Sequence, residues 1–481
     1  MPSTLKQKVM SGLAWRSMER FGTQAVQFVL TVVLARLLEP KDFGVIALLT
    51  VFLALANVLV NSGFGTAIIQ KKVVDERDLN SVFYLSLGIS LLLYGMLWYC
   101  APLIARFYSE PVLVPVLRWM ALGLIFSAIN GVQNAILTRE MRFKASFWIN
   151  LLPIAVYGVV GIWMAYAGYG LWSLVFGNLI SRIAGVAGCW FLIDWRPRLV
   201  FCWATVRQLF QYSWKVLAAT LNDTLFTNLY NLIIGKLYNP VMLGYYNRGQ
   251  SIPMTVMSGV SSTISGVIFP ALSHCQDDKL QMRAMTRRMI LTSSFFVFPA
   301  MFGLAAVAKP LVLLLLTEKW LPCVPFLQLA CVTYAFWPLH EANLQVILAS
   351  GRSDMYLKLE FIKKPLILIT ILITYRFGVL AMVIGQAVLS PLCIFINAWP
   401  NRHLISYPAL AQLRDIFPIF VLACAMGGLV WASSFLEWNT YLLLTFQIFV
   451  GAGFYLGLSR MFRLEAGQYV WNNVIQVFCG G

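Results

Sequence analysis

Charge is what this sequence has least of. Only 11% of its 481 residues are Asp, Glu, Lys or Arg, against about a quarter in a soluble domain, which excludes water as the solvent for most of the chain. Histidine occurs three times, at His274, His340 and His403, too sparsely for acid–base chemistry or a metal cluster. The nine cysteines stand singly, with no CxxC pair and no neighbouring His ligand, which excludes zinc and dithiol motifs and leaves them as packing residues. No Gly-rich phosphate loop and no Ser/His/Asp arrangement is present, so no catalytic residue, metal or cofactor is expected. The alternation of a membrane barrel strand is missing too. The first apolar stretch, behind Lys6 and Lys8, is long, carries charge and has no small-residue cleavage site, so it reads as a retained helix rather than a signal peptide.

What is there in excess is apolar length: 60% of the residues are hydrophobic, in runs that recur from end to end. A run of roughly 20 residues crosses the hydrocarbon core, and in lipid it must be helical to satisfy its backbone. The fold class is therefore all-α, a polytopic membrane protein. Gly, Pro and charge punctuation place fourteen helices near 12–37, 43–68, 80–105, 112–137, 145–167, 170–193, 208–235, 241–272, 286–308, 322–349, 357–375, 378–399, 411–434 and 438–459. Counting cations near helix ends, such as Arg36, Arg287, Arg288, Lys358 and Arg414, with the adjoining loops, the N-terminal tail and every second loop hold 21 cations, among them Arg139, Arg198 and Arg283, and the other loops hold 7. Lys and Arg accumulate on the cytoplasmic side, so both termini are expected in the cytoplasm. The net charge of +17 follows from this bias and from attraction to anionic lipid; nucleic acid is not a partner.

A motif repeats at a spacing of 200 residues. LARLLEPKDFG, from Leu34 to Gly44, matches IGKLYNPVMLG, from Ile234 to Gly244, with Arg36/Lys236, Leu37/Leu237, Pro40/Pro240 and Gly44/Gly244 in register and Trp15 and Trp214 at similar distances before them. The copies fall at the junctions of helices 1–2 and 7–8. Six helices lie between them, and an even number preserves orientation, so the halves are expected to be parallel repeats about an axis along the membrane normal, as in transporters that rock around a central cavity. The organisation expected is a lobe over 1–193, a cytoplasmic linker over 194–207, a second lobe over 208–399, and two accessory helices with a tail over 400–481.

Eight cations fall inside helices: Arg16, Arg20, Arg118, Arg182, Lys215, Arg248, Lys363 and Lys364. Four acids accompany them: Glu19, Asp223, Glu341 and Glu360. Charge at mid-bilayer is costly, about 2.5–3.5 kcal/mol on insertion scales, so each group should be paired or face water. A water-filled cavity awaiting an anion accounts for the surplus. Arg16 and Arg20 share a face of helix 1 with Thr23, Gln24 and Gln27 at helical spacing, while helix 7 carries Thr220, Asp223, Thr227 and Asn231, and helix 2 carries Asn57 and Asn61. Glu360 precedes Lys364 by four residues, a spacing for a local ion pair. The competing expectation is that Arg16, Arg20, Arg182 and Lys215 lie near helix ends and snorkel to the interface, and that His340, beside Glu341, is a packing residue rather than a proton site. The cavity cations expected to bind substrate are Arg16, Arg20, Arg118, Arg248, Lys363 and Lys364; the acids available for ion coupling are Asp223, Glu341 and Glu360.

The opening SGLAWRSMERFGTQAVQFVLTVVLARLLEPKDFG, the segment LTREMRFKASFW and the stretch ILASGRSDMYLKLEFIKKP resemble the polysaccharide exporters of the multidrug/oligosaccharidyl-lipid/polysaccharide superfamily, which include the Wzx-type flippases. The resemblance spans nearly the whole chain and is greatest to colanic-acid and teichuronic-acid exporters. It implies two six-helix lobes around a central cavity, alternating access, a polyprenyl-diphosphate-linked oligosaccharide as cargo, coupling to a proton or sodium gradient, and a bacterial inner membrane shared with other polysaccharide assembly proteins. It supplies no short motif from which site residues carry over. A multidrug antiporter of the same superfamily is the runner-up, but an exporter of organic cations is expected to line its cavity with acids. A membrane enzyme acting on lipid-linked sugars is the other alternative, and it lacks a loop long enough to build a catalytic site.

Overall fold

The computed structural model describes residues 22–61, 68, 74–140, 142–276, 278–436 and 438–469, and every regular element among them is a helix. In chain order these are α1 (Gly22–Leu37), α2 (Pro40–Asn61), α3 (Glu76–Tyr108), α4 (Leu113–Arg139), α5 (Phe143–Tyr166), α6 (Leu171–Leu192), α7 (203–237), α8 (Pro240–His274), α9 (Lys279–Ala306), α10 (Glu318–Ala349), α11 (Ser353–Thr374), α12 (Val379–Ala398), α13 (Ala409–Ala432) and α14 (Thr440–Met461). Ten of the helices are long and apolar enough to cross a bilayer. The chain is a multi-pass membrane protein. The four that fall short are informative: only part of α1 is described, and α7, α8 and α11 carry the polar and charged residues singled out above.

Local chemistry sets the boundaries. Pro40 and Pro240 open α2 and α8, where the missing N–H costs nothing because it would have no intrahelical acceptor. The start of α3 is earlier than hydrophobicity alone suggests because Asp75 and Asp78 form a capping box, satisfying orphan N–H groups. Three long helices are jointed, α4 at Leu122, α7 at Asn228 and α10 at Phe336. A short apolar helix, Ala308–Leu316, occupies a segment expected to be loop; Pro310 suits its first turn, and Thr317, at φ 80, stops it.

The chain divides into two compact units, residues 1–244 and 245–481. In the first, α2, α3 and α6 pack on α4 over a core that includes Ile68, Val82, Phe83 and Val132. Within this unit the two copies of the repeated motif lie against each other: a Cβ on Gly44 would overlap the Pro240 carbonyl, and one on Gly244 would overlap the Pro40 carbonyl. In the second, α9 packs on α13 and on α10, and α12 packs on α10 and α11.

Candidate functional site

In the first unit, α2, α3, α4 and α6 line a partly open cavity of about 300 Å3 with mixed polar and apolar walls. Polar residues recur along one side of α4, at Ser127, Asn130 and Asn134, close to helical spacing, and face Asn61 of α2, Ser86 of α3 and Arg182 of α6. Asn61 Nδ2 donates to Ser127 Oγ at 2.7 Å. Asn130 Oδ1 is buried with no hydrogen-bond partner among the described residues. Arg182 Nε donates to Asn178 Oδ1 at 2.9 Å, one turn earlier on α6, and Nη1 to the Gly123 carbonyl at 3.5 Å.

Arg182 thus departs from the expectation that it snorkels. It sits at the middle of Leu171–Leu192, roughly 15 Å of helix from either end at 1.5 Å per residue, too deep for its head to reach an interface. The signal that could have located it was the recurrence of Ser127, Asn130 and Asn134 along an otherwise apolar span.

The expected cavity cations are distributed as follows. Arg16 and Arg20 lie outside the described residues. Arg118, on the first segment of α4, does not line this cavity; its guanidinium stacks over Trp98 of α3 at 4.4 Å, and its Nε is buried without a hydrogen bond among the described residues. Arg248, in the second unit, is 7% exposed and lies 5.2 Å from the ring centre of the fully buried Trp320. Both arginines are held by aromatic faces, an attraction that strengthens as water is excluded.

Lys363 and Lys364 flank one carboxylate. Glu360 Oε1 is 2.6 Å from Lys363 Nζ and Oε2 is 3.9 Å from Lys364 Nζ, so the closer partner is three residues on, not four as spacing suggested. The rotamer of Glu360 decides this, since both lysines share its side of α11. The triad is mostly buried and carries one net positive charge.

The acids differ in setting. Asp223 is exposed on α7. Glu341 is held by neutral donors: Ser261 Oγ at 3.3 Å and Gln345 Nε2 at 2.8 Å, with Trp337 Nε1 donating in turn to Ser261 Oγ at 2.8 Å. His340 Nδ1 lies 2.9 Å from the amide of Asn397 on α12, which fits a packing role. Among the described residues there is no group of His, Cys, Asp and Glu that could hold a metal ion. A separate groove of about 480 Å3 between α9, α13 and α14 is almost wholly apolar, lined by Phe295, Gly303, Met426, Val430, Gly451 and Tyr455 among others.

Comparison with known proteins bears on this arrangement. The sequence model of a family described as "Polysaccharide biosynthesis protein" matches residues 33–325. The teichuronic acid biosynthesis protein TuaB of Bacillus subtilis (strain 168) is 26% identical over 441 residues, 89% of each chain. The lipopolysaccharide biosynthesis protein WzxC of Escherichia coli (strain K12) is 24% identical over 415 residues, 85% of this chain and 83% of its own. Among solved structures, the lipid II flippase MurJ in an inward closed conformation superposes with a TM-score of 0.76 at 15% identity, covering 93% of this chain and 98% of its own. At that identity the likeness is one of fold.

Proposed function

Because this chain belongs to the polysaccharide biosynthesis protein family, we propose that it is a flippase. Its cargo is a polyprenyl-diphosphate-linked oligosaccharide, moved from the cytoplasmic to the outer leaflet of a bacterial inner membrane for cell-surface or exported polysaccharide. The observation that carries this reading is that, of the helix charges singled out in the sequence, those in the described residues are Arg118, Arg182, Lys215, Arg248, Lys363 and Lys364 against Asp223, Glu341 and Glu360. A diphosphate has the complementary charge, and Arg meets phosphate bidentately where Lys acts as a point charge. Lys363 and Lys364, whose joint charge exceeds that of Glu360, and Arg248 are the groups of the second unit suited to the diphosphate; Arg16, Arg20 and Arg118 are those of the first. The apolar groove beside α13 and α14 offers a lipid chain a bed that its headgroup lacks.

Transport proceeds by alternating access, with lobes over 1–193 and 208–399 rocking as parallel repeats, 194–207 as their linker and 400–481 as accessory. Both termini lie in the cytoplasm, and Asp223, Glu341 and Glu360 are the acids available to couple a proton or sodium ion. The multidrug-antiporter reading is disfavoured by the excess of cations over acids. An enzyme reading is disfavoured because the longest non-helical stretch among the described residues, 193–202, is too short to build a catalytic loop.

The test is reconstitution. Proteoliposomes holding a fluorescent polyprenyl-diphosphate oligosaccharide in both leaflets should expose nearly all of it to a membrane-impermeant quencher over time. Protein carrying Lys363→Glu and Lys364→Glu should expose only the outer half, and wild-type protein doing no better would refute the proposal.

A further inference from the structure

The cavity of the first unit sets a mid-membrane charge against neutral groups. A guanidinium stays protonated at any physiological pH and has five N–H donors. Two of those on Arg182 are met, by the Asn178 amide oxygen and the Gly123 carbonyl, and no carboxylate lines the cavity among the described residues. Arg182 is half-buried, and a charge drawn partly out of water without a counter-charge is costly in a low-dielectric setting, yet the fold builds a seat for this one. Gly123 leaves the room it needs: a Cβ there would stand 2.9 Å from both Cδ and Nε of Arg182, closer than atoms pack.

The cavity's shape and charge define what completes it. One positive charge calls for one negative charge, so a diphosphate would be under-neutralised here. About 300 Å3 is at the small end of ligand pockets, enough for a group the size of one sugar ring. The amides of Asn61, Asn130 and Asn134 and the Ser127 hydroxyl offer donors to lone pairs, whereas Asn130 Oδ1, an acceptor buried with no partner among the described residues, calls for a donor such as a ligand hydroxyl and not for the anion itself.

We propose that this cavity is an anion site, in which Arg182 binds a compact monoanion, a carboxylate or its inorganic equivalent, with Asn61, Asn130 and Asn134 completing its hydrogen bonds. Two sources share this chemistry: an acidic sugar of the cargo, and a free anion such as chloride. Only the first rests on the flippase reading; binding itself does not.

The experiment uses the purified full chain in detergent, following its thermal midpoint against sodium glucuronate, the neutral methyl ester of glucuronic acid, and sodium chloride, at constant ionic strength set with sodium sulfate. A saturable rise with glucuronate and none with the ester is expected. Arg182→Gln should abolish it, and Arg182→Lys should weaken binding by about tenfold, because the planar fork is lost. Asn130→Asp should remove the response while raising the midpoint, since it supplies the missing carboxylate; this variant keeps the test decisive if Arg182→Gln does not fold. Glucuronate binding that chloride fails to displace assigns the site to an acidic sugar, and chloride giving the same saturation and competing assigns it to a free monoanion. The site is refuted if neither anion moves the wild-type midpoint, or if Arg182→Gln responds like the wild type. Loss of flipping with anion binding intact would instead count against the flippase reading alone.

Discussion

At the scale of single residues, the structure distinguishes charges that hold the helices together from charges left for a ligand. Glu360 is the clearest case, because one carboxylate compensates two ammonium groups on α11. Glu360→Gln should cost on the order of 3 kcal/mol, as removing one member of a buried pair does, read as a lower thermal midpoint in detergent. Adding Lys363→Gln should restore part of the loss, since residues in one network are not additive. A second residue-scale case is Glu465, which lies beyond the last membrane span, Thr440–Met461. Arg287 donates two hydrogen bonds to Glu465, at 2.6 and 2.7 Å, and these hold the Glu465 carboxyl below its usual 4.5. A depressed carboxyl contributes stability above its unfolded value and loses it as pH falls through the folded one. Proteolysis of the segment 465–469 should therefore be flat at neutral pH and rise only as the pH drops below about 4.5; a rise beginning at neutral pH would show that this pair does not dock the segment. The existence of the Glu360 pair was legible from spacing, but its closer partner was not, because a rotamer rather than a period decides between Lys363 and Lys364. Arg182 was legible as a helix cation, and the expected span 170–193 already set it near mid-helix; that Asn178 and the Gly123 carbonyl meet it was not legible.

At the scale of elements, spans were legible from apolar runs because a bilayer leaves the chain only one way to satisfy its backbone. The joints in α4, α7 and α10 and the short helix Ala308–Leu316 were not, since no run of glycine, proline or charge at Leu122, Asn228 or Phe336 marks a break in the sequence pattern. The matched Pro and Gly of the repeated motif were visible as letters, and the structure gives them a physical reason: each glycine lets the other copy's proline carbonyl approach. Gly44→Ala and Gly244→Ala should each cost about 1–3 kcal/mol, the usual range for overpacking, because the clash is with backbone that cannot rotate away. Gly95→Ala, on α3 with nothing within 4 Å of a new Cβ, should be neutral or stabilising, as a helical glycine costs up to about 1 kcal/mol relative to alanine where the added methyl has room. Equal effects at Gly44 and Gly95 in a thermal-shift series would show the close approach to be unimportant.

At the scale of the whole molecule, composition decided the solvent, and the loop cations carry the orientation proposed above. Single-cysteine labelling should place Arg139, Arg198 and Arg283 on the cytoplasmic side and Gly168 and Lys319 outside; Arg198 and Lys319 on one side would break the fourteen-helix topology. Within that frame, Arg16→Glu and Arg20→Glu should block export at matched protein levels, with Lys at either position keeping part of it. The measurement that tests the flippase reading most directly is the leaflet distribution of the lipid-linked repeat unit in cells with and without this chain. The reading predicts that the precursor accumulates in the cytoplasmic leaflet when the chain is absent, and that wild-type protein, but not Lys363→Glu with Lys364→Glu, restores its outer-leaflet pool. Precursor reaching the outer leaflet at the same rate with and without the chain would contradict it.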